Sequence, residues 1–380
     1  MSHSRRGTRE ILDTFTQDVT ADDLKRVFTR EARDAYEFFA HGIDRLALAQ
    51  LPWPKRALLH VRLFLLAFSR RLPPARRALY GLALVTTVIG LLELFTGIDT
   101  ARIGPVVVPV LTWAQGTGPL VVALVLLNIL FALEVADRLS LKQDLSVARE
   151  IQRAMLPRQP FTGLGMEAHG ETRPANTVGG DFFDIVPTRD GRLLVALGDV
   201  AGKGTPAALL MALLLAILRT LVDEGLAPQE LATRLNQQVL RHAPRSRFIT
   251  ALLGIYDPER HVLAYVNAGH PPALLRHANG TVERLPPTGM ALGLGPRAVY
   301  SSRTVMLCPG DLLVVYSDGI SEAESPSGTP FDDAGVEEAV TQHAADSAQV
   351  VCRALMARVD SHIADARVCD DLTVLALRHN

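Results

Sequence analysis

Two long apolar runs, residues 78–95 and 119–136, constrain this chain before any motif does. Each approaches the ~20 residues that a helix needs to cross the hydrocarbon core of a bilayer. Such a segment has to satisfy its backbone internally, as a helix, to leave water. Arg70, Arg71, Arg76 and Arg77 precede the first run, and Arg138, Lys142 and Arg149 follow the second. The connector, 96–118, carries only Asp99 and Arg102. The basic excess on both outer ends therefore predicts a transmembrane hairpin with its two ends in the cytoplasm. The connector is itself apolar from 103 to 113 and broken by Pro105 and Pro109, so it reads as a loop, a re-entrant segment or an imperfect third span. A buried soluble hairpin is the competing reading. Glu93 and Asn128 lie inside the runs; a partner helix or the interface accounts for them, and neither is assigned a ligand.

Around this hairpin the chain divides further. Residues 1–77 form an N-terminal region that begins polar and basic and has no apolar leader. Leu24, Val27, Phe28, Tyr36, Phe39, Ile43 and Leu46 recur at helical spacing over 21–51, before Pro52 and Pro54. Residues 58–68 read as an interfacial helix, interrupted by His60 and Arg62. After the hairpin, Leu139, Leu145, Ala148, Ile151 and Met155 mark one side of a helix over 134–155, and Pro157 ends it. This gives a linker helix at 137–157, without a Gly/Ser hinge, leading into a domain at 158–380. A net charge of −1 gives no case for nucleic-acid binding. The three cysteines, Cys308, Cys352 and Cys369, have no metal-ligand spacing, which fits a reducing compartment.

The C-terminal domain carries three pieces with one grammar. Residues 177–204 read TVGGDFFDIVPTRDGRLLVALGDVAGKG: a Gly-Gly-Asp turn, then an apolar run ending in Gly198-Asp199. Residues 311–319, DLLVVYSDG, deliver Asp318 onto a glycine, and Asp370-Asp371 opens the run 374–377. Short apolar runs bounded by turn residues predict buried strands. Strands are expected at 183–186, 193–197, 248–256, 262–267, 273–276, 302–307, 312–316 and 372–377. Helices are expected at 205–224, 228–242, 334–343 and 348–362. Runs of strands with long helices between them indicate an α+β layered unit. Carboxylates at several strand ends can converge, and hard oxygen donors suit Mg²⁺ or Mn²⁺.

Together with AREIQRAMLP at 148–157, NAGHPP at 267–272, YSDGISEA at 316–323 and DDLTVL at 370–375, these motifs resemble the bacterial RsbU/SpoIIE-like branch of the metal-dependent PPM (PP2C) serine/threonine phosphatases. The resemblance covers about 148–380 and implies a β-sandwich of two antiparallel sheets flanked by α-helices. It further implies two divalent cations, Mn²⁺ or Mg²⁺, held by Asp181, Asp199, Asp318 and Asp370 with the backbone carbonyl of Val200. These four aspartates are the implied catalytic residues. Asp184, Asp371, Lys203 and His270 are candidates for supporting or phosphate-binding roles. His270 reads either as a proton donor to the leaving oxygen or as a structural histidine in a tight turn, and Lys203 either as a phosphate ligand or as a solvated lysine. Asp371 and its neighbour Asp370 should point apart on a strand.

The implied substrate is a phosphorylated anti-anti-sigma protein with a STAS domain, and the implied partners are membrane lipid and a second copy through the linker helix. Two other classes compete. A catalytically silent scaffold would have lost ligand carboxylates, and all four are present. GGDFF at 179–183 also resembles the GGDEF stretch of nucleotide cyclases, but Phe182 stands where the glutamate belongs.

Overall fold

The computed structural model describes residues 72–96, 98–103, 106–111, 117–244, 247–366 and 368–380, with Leu65 and Ser69 besides. The helix expected at 21–51, and all but Leu65 of that at 58–68, lie outside the described residues. The chain forms two compact units, Met1–Leu139 and Ser140–Asn380.

In the first unit, helix α1 (Pro74–Thr96) leads to strands β1 (Ile98–Ile103) and β2 (Val106–Leu111), and then to α2 (Thr117–Met155), which continues past the division. Leu72, Tyr80 and Leu130 form a small buried cluster. Ala83 and Ala123 are also buried, small side chains of the kind that let helices approach closely. Arg76 bonds Asp137 at 2.8 Å and Glu134 at 3.4 Å, so the start of α1 lies beside the middle of α2 and the two run antiparallel. Most of the apolar surface is turned outward: Val85, Val88, Leu92 and Phe95 on α1, and Val121, Leu124, Val125 and Phe131 on α2 are exposed. Both helices are long and apolar enough to cross a membrane.

The connector is open among three readings by sequence. β1 and β2 pair antiparallel from Ile98↔Leu111 to Ile103↔Val106, so this stretch is a β-hairpin and not a third helical span. Its β-branched residues, Val106 to Val108 among them, favour strand.

The second unit is a sandwich. After α2 come β3 (Phe161–Gly163), β4 (Met166–Arg173), β5 (Phe182–Pro187), β6 (Leu193–Val200), α3 (Thr205–Val222), α4 (Pro228–His242), β7 (Ile249–Asp257) and β8 (Val262–Ala268). There follow β9 (Ala273–Arg276), β10 (Val282–Leu285), β11 (Arg303–Met306), β12 (Leu312–Tyr316), the short α5 (Asp318–Ser321), α6 (Asp332–Gln342), α7 (Ala348–Ile363) and β13 (Leu372–His379). One sheet has the order β10-β9-β12-β13-β4-β3 and the other β11-β8-β7-β6-β5. Every named strand pair in them is antiparallel.

The side-chain period of two decides the layers. On β12, Leu313 and Val315 face the core between the sheets, while Leu312, Val314 and Tyr316 face α6 and α7. On β13, Leu375 and Leu377 turn inward and Val374 and Ala376 outward to the same helices. On the opposite side, α3 buries Leu210, Met211, Leu214, Leu215 and Leu218 against the five-stranded sheet. By length and composition α3 too is apolar enough to span a membrane. Its buried stripe makes it a core helix here, since a helix under a sheet needs the same apolar residues.

The expected strands and helices of this domain are present, with ends shifted by at most three residues. β3, β4, β10 and α5 were not expected. β4 reads MEAHGETR, too polar for a central strand by composition. Its polar side chains are met by α7: Arg173 pairs with Asp360, and Glu171 with Arg353 at 3.3 Å.

Candidate active site

Antiparallel pairing brings the proposed ligands together. The pair Phe182↔Gly198 sets the start of β5 beside the end of β6, so Asp181 and Asp199 share one edge of the five-stranded sheet. The pair Tyr316↔Val374 sets the end of β12 beside the start of β13, so Asp318 and Asp370 share one edge of the other sheet. The two edges meet. The carboxylates feel each other across them: Asp199 is raised to about 6, first by burial and then by repulsion from Asp318, Asp370 and Asp371. Asp181 stands well above the usual carboxylate range because of burial and the Asp199 charge. Asp318 is raised by burial and by Asp370.

Such crowding is costly unless a cation offsets it. The residues present fit a hard divalent ion on three observations. Asp181 Oδ2 is buried with no hydrogen-bond partner. Every donor is an oxygen. A Cβ on Gly180 would stand 2.9 Å from the Val200 carbonyl oxygen and 3.2 Å from Asp199 Oδ1, so these two oxygens crowd the Gly180 backbone as a ligand cradle would. Among the described residues no three His, Cys, Asp or Glu side chains are already drawn to ligand spacing. Instead Asp199 shares a hydrogen bond with Asp181, and Lys203 Nζ holds Asp370 Oδ2 at 2.8 Å.

The supporting candidates separate by geometry. Asp371 accepts from the backbone N–H groups of Ala175 at 2.8 Å and Gly180 at 2.7 Å, with Asp181 N at 3.4 Å. It holds the loop that presents Asp181. Its backbone explains Gly319 as well, because a Cβ there would lie 2.0 Å from the Asp371 carbonyl oxygen. Asp184 is 1% exposed and forks onto Arg219 at 2.7 and 3.0 Å, away from the other carboxylates. Arg219 also donates to the Met155 carbonyl at the end of α2. Asp184→Ala is expected to destabilise the domain by about 2 kcal/mol in urea unfolding, less than for a fully buried pair because Arg219 keeps contact with water.

His270 is buried, with Nε2 3.0 Å from the Tyr316 carbonyl and Nδ1 3.1 Å from Thr250 Oγ1. A carbonyl only accepts, so Nε2 carries the proton and Nδ1 accepts from the threonine. Both nitrogens are used, and this geometry serves the structural reading by fixing the end of β12 just before Asp318. Burial lowers the His270 pKa to about 4. The unfolded chain therefore binds the proton more readily between about pH 6.5 and 4, and His270 costs stability as pH falls through that window. His270→Asn is expected to flatten this part of the stability-versus-pH curve, read by urea unfolding at pH 7 and pH 5.

Sequence reasoning missed Gln152. It is buried on α2, and its amide both donates to the Gly179 carbonyl at 2.7 Å and accepts from the Gly179 N–H at 3.2 Å. The only signal was a polar residue beside Ala148 and Met155 on the inward side of the helix. Thr373 and Ser317 were missed too; their hydroxyls partly offset the repulsion on Asp181. Residues 179–183 enter β5 of a sandwich sheet, which removes the basis of the cyclase reading.

The stage II sporulation protein E (SpoIIE) family profile matches residues 189–380. Protein IcfG of Synechocystis is 27% identical over 278 residues, covering 66% of this chain and 44% of IcfG. The phosphoserine phosphatase RsbU of Bacillus subtilis is 27% identical over 241 residues, 63% of this chain and 70% of RsbU. The chain thus spans under half of one relative and over two thirds of the other. Among solved structures, the SiaA-PP2C domain of Pseudomonas aeruginosa superposes with a TM-score of 0.57 at 24% identity, over 64% of this chain and 99% of that domain, which shows a PP2C-type fold.

Proposed function

The chain belongs to the SpoIIE family, and on that footing we propose that it is a metal-dependent serine/threonine protein phosphatase acting on a phosphorylated STAS-domain anti-anti-sigma protein. The observation that carries this reading is the convergence of Asp181, Asp199 and Asp318 from the strand ends of both sheets, beside Asp370, with burial and mutual repulsion raising the first three. Asp181, Asp199, Asp318 and Asp370, with the Val200 carbonyl, would hold two Mn²⁺ or Mg²⁺ ions. Such ions supply a water of lowered pKa and neutralise charge on a phosphoryl group. The chain's own residues do the positioning. Asp371 and Gln152 fix the Gly179–Asp181 backbone from two sides, and His270 fixes the approach to Asp318. Lys203 sits at the mouth, half-exposed, where its ammonium is available to a phosphate once Asp370 is otherwise engaged.

The name of the relative RsbU, a phosphoserine phosphatase, supports phosphoserine as the target. The apolar outer faces of α1 and α2 support a multi-pass protein of the cytoplasmic membrane with the phosphatase domain in the cytoplasm. Leu139, Leu141, Val147 and Ile151 are exposed on α2 and support a homodimer through that helix. The test is Mn²⁺- or Mg²⁺-dependent phosphate release from phosphoserine STAS proteins by the full chain in nanodiscs. Turnover abolished by chelator is the expected result. Folded, metal-loaded protein that releases nothing from any of them would favour the silent scaffold.

A further inference from the structure

Away from the carboxylate centre, α2 and the β4–β5 side of the domain enclose an open cleft of about 670 Å³. Arg149 and Arg153 enter it from α2 and Arg158 from the turn that follows, while Ser146 and Thr172 add hydroxyls. The spacing 146, 149, 150, 153 is one face of a helix, so these side chains are presented together. Several other arginines of this domain have carboxylate partners: Arg173 holds Asp360, Arg219 holds Asp184, and Arg284 holds Asp333 and Glu337. Among the described residues, the side chains of Arg149, Arg153 and Arg158 make no ion pair or hydrogen bond. Glu150, on the same wall, pairs with none of them. Arg149 Nε is buried without a partner, so the cleft contains a desolvated donor with nothing to donate to. Leaving such a group unmet is costly, and a planar fork of N–H donors matches phosphate oxygens.

We propose that this cleft is a binding site for a phosphate-bearing ligand, clamped between Arg149 and Arg153 on α2 and Arg158 beyond it. The volume suits a ligand of nucleotide size. Because Thr172 belongs to β4, the ligand ties the last turns of α2 to the sheet. Thr172 also bonds Thr373 at 2.7 Å, which sets the cleft one hydroxyl pair away from the Asp181 neighbourhood. This site does not depend on the phosphatase reading.

The experiment uses the full chain in phosphatidylcholine nanodiscs with chelator present, so that the metal-free carboxylates repel phosphate and the centre contributes no binding. Inorganic pyrophosphate and adenosine triphosphate are titrated by calorimetry, and hydrogen exchange is followed over residues 146–158. A second arm replaces part of the lipid with phosphatidic acid and adds no soluble probe. Saturation by a soluble probe, at one site per chain, assigns a free phosphate ligand; protection of 146–158 only with phosphatidic acid assigns a lipid headgroup. In either case the Arg149→Ala/Arg153→Ala variant is expected to weaken binding about ten-fold or more. Arg158→Ala, outside the helix, should weaken it in the same direction. Arg241→Ala, an exposed arginine on α4 beyond the cleft, should leave it unchanged. Absence of saturation and of protection in both arms overturns the proposal, as does equal weakening by Arg241→Ala.

Discussion

Asp199→Asn is expected to lower metal-dependent phosphate release on the order of a thousand-fold, the scale of losing one group that stabilises transition-state charge. The same substitution should make the metal-free protein more stable. Asp199 is held near 6 by burial and by three neighbouring aspartates, so its charge works against the fold when no cation is present. An amide of the same shape removes that charge and keeps a hydrogen-bonding oxygen, for a gain of roughly 1 kcal/mol or more. Two measurements check the pair of effects: phosphate release with Mn²⁺, and thermal unfolding with chelator. A metal-induced rise in melting temperature is expected in the parent and should shrink in the variant, because binding stabilises in step with affinity. A variant that loses activity and is also less stable without metal would mean that Asp199 holds the fold together and is not a ligand.

Asp371→Ala is expected to cost about 3 kcal/mol of stability together with most of the activity. The carboxylate accepts from a buried backbone N–H at 2.7 Å and a partly buried one at 2.8 Å, and charge-assisted bonds of this kind contribute roughly 1.5–3 kcal/mol each. Alanine leaves the N–H groups of Ala175 and Gly180 unsatisfied, and the Gly179–Asp181 loop loses one of its two anchors. Asp371→Asn separates positioning from ligation. One of its side-chain oxygens is replaced by an NH₂ that faces a donor, so the loop shifts, while the fold survives better than with alanine. If Asp371 positions and does not ligate, Asp371→Asn should weaken Mn²⁺ binding less than Asp199→Asn does, as read by calorimetry. Equal loss in the two variants would make Asp371 a ligand.

Much of this architecture is legible in the chain because it depends on near neighbours. The run 193–197 is apolar at every position since β6 is covered by the other sheet on one face and by α3 on the other. The 3.6 spacing along 228–242 marks α4 for the same reason. β4 failed the reading because its charges are answered by Asp360 and Arg353 on α7, nearly two hundred residues later in the chain. The connector stayed open because an apolar run containing prolines fits a loop, a re-entrant segment and a poor span equally well by composition.

By itself the sequence determined the two membrane-length runs, most strands and the long helices of the domain, and the four aspartates at strand ends. These follow from hydrophobic period and turn chemistry, which act over a few residues. Only the tertiary structure decided what each remaining polar group does. Asp371 reads only as a supporting carboxylate of unspecified role until Gly180, 191 positions away, is seen to donate to it. Asp184 reads the same way until Arg219 closes on it, and Gln152 has no assigned role until Gly179 stands opposite. A buried polar group takes its role from the partner that satisfies it, and folding chooses that partner across distances in the chain that no local pattern records.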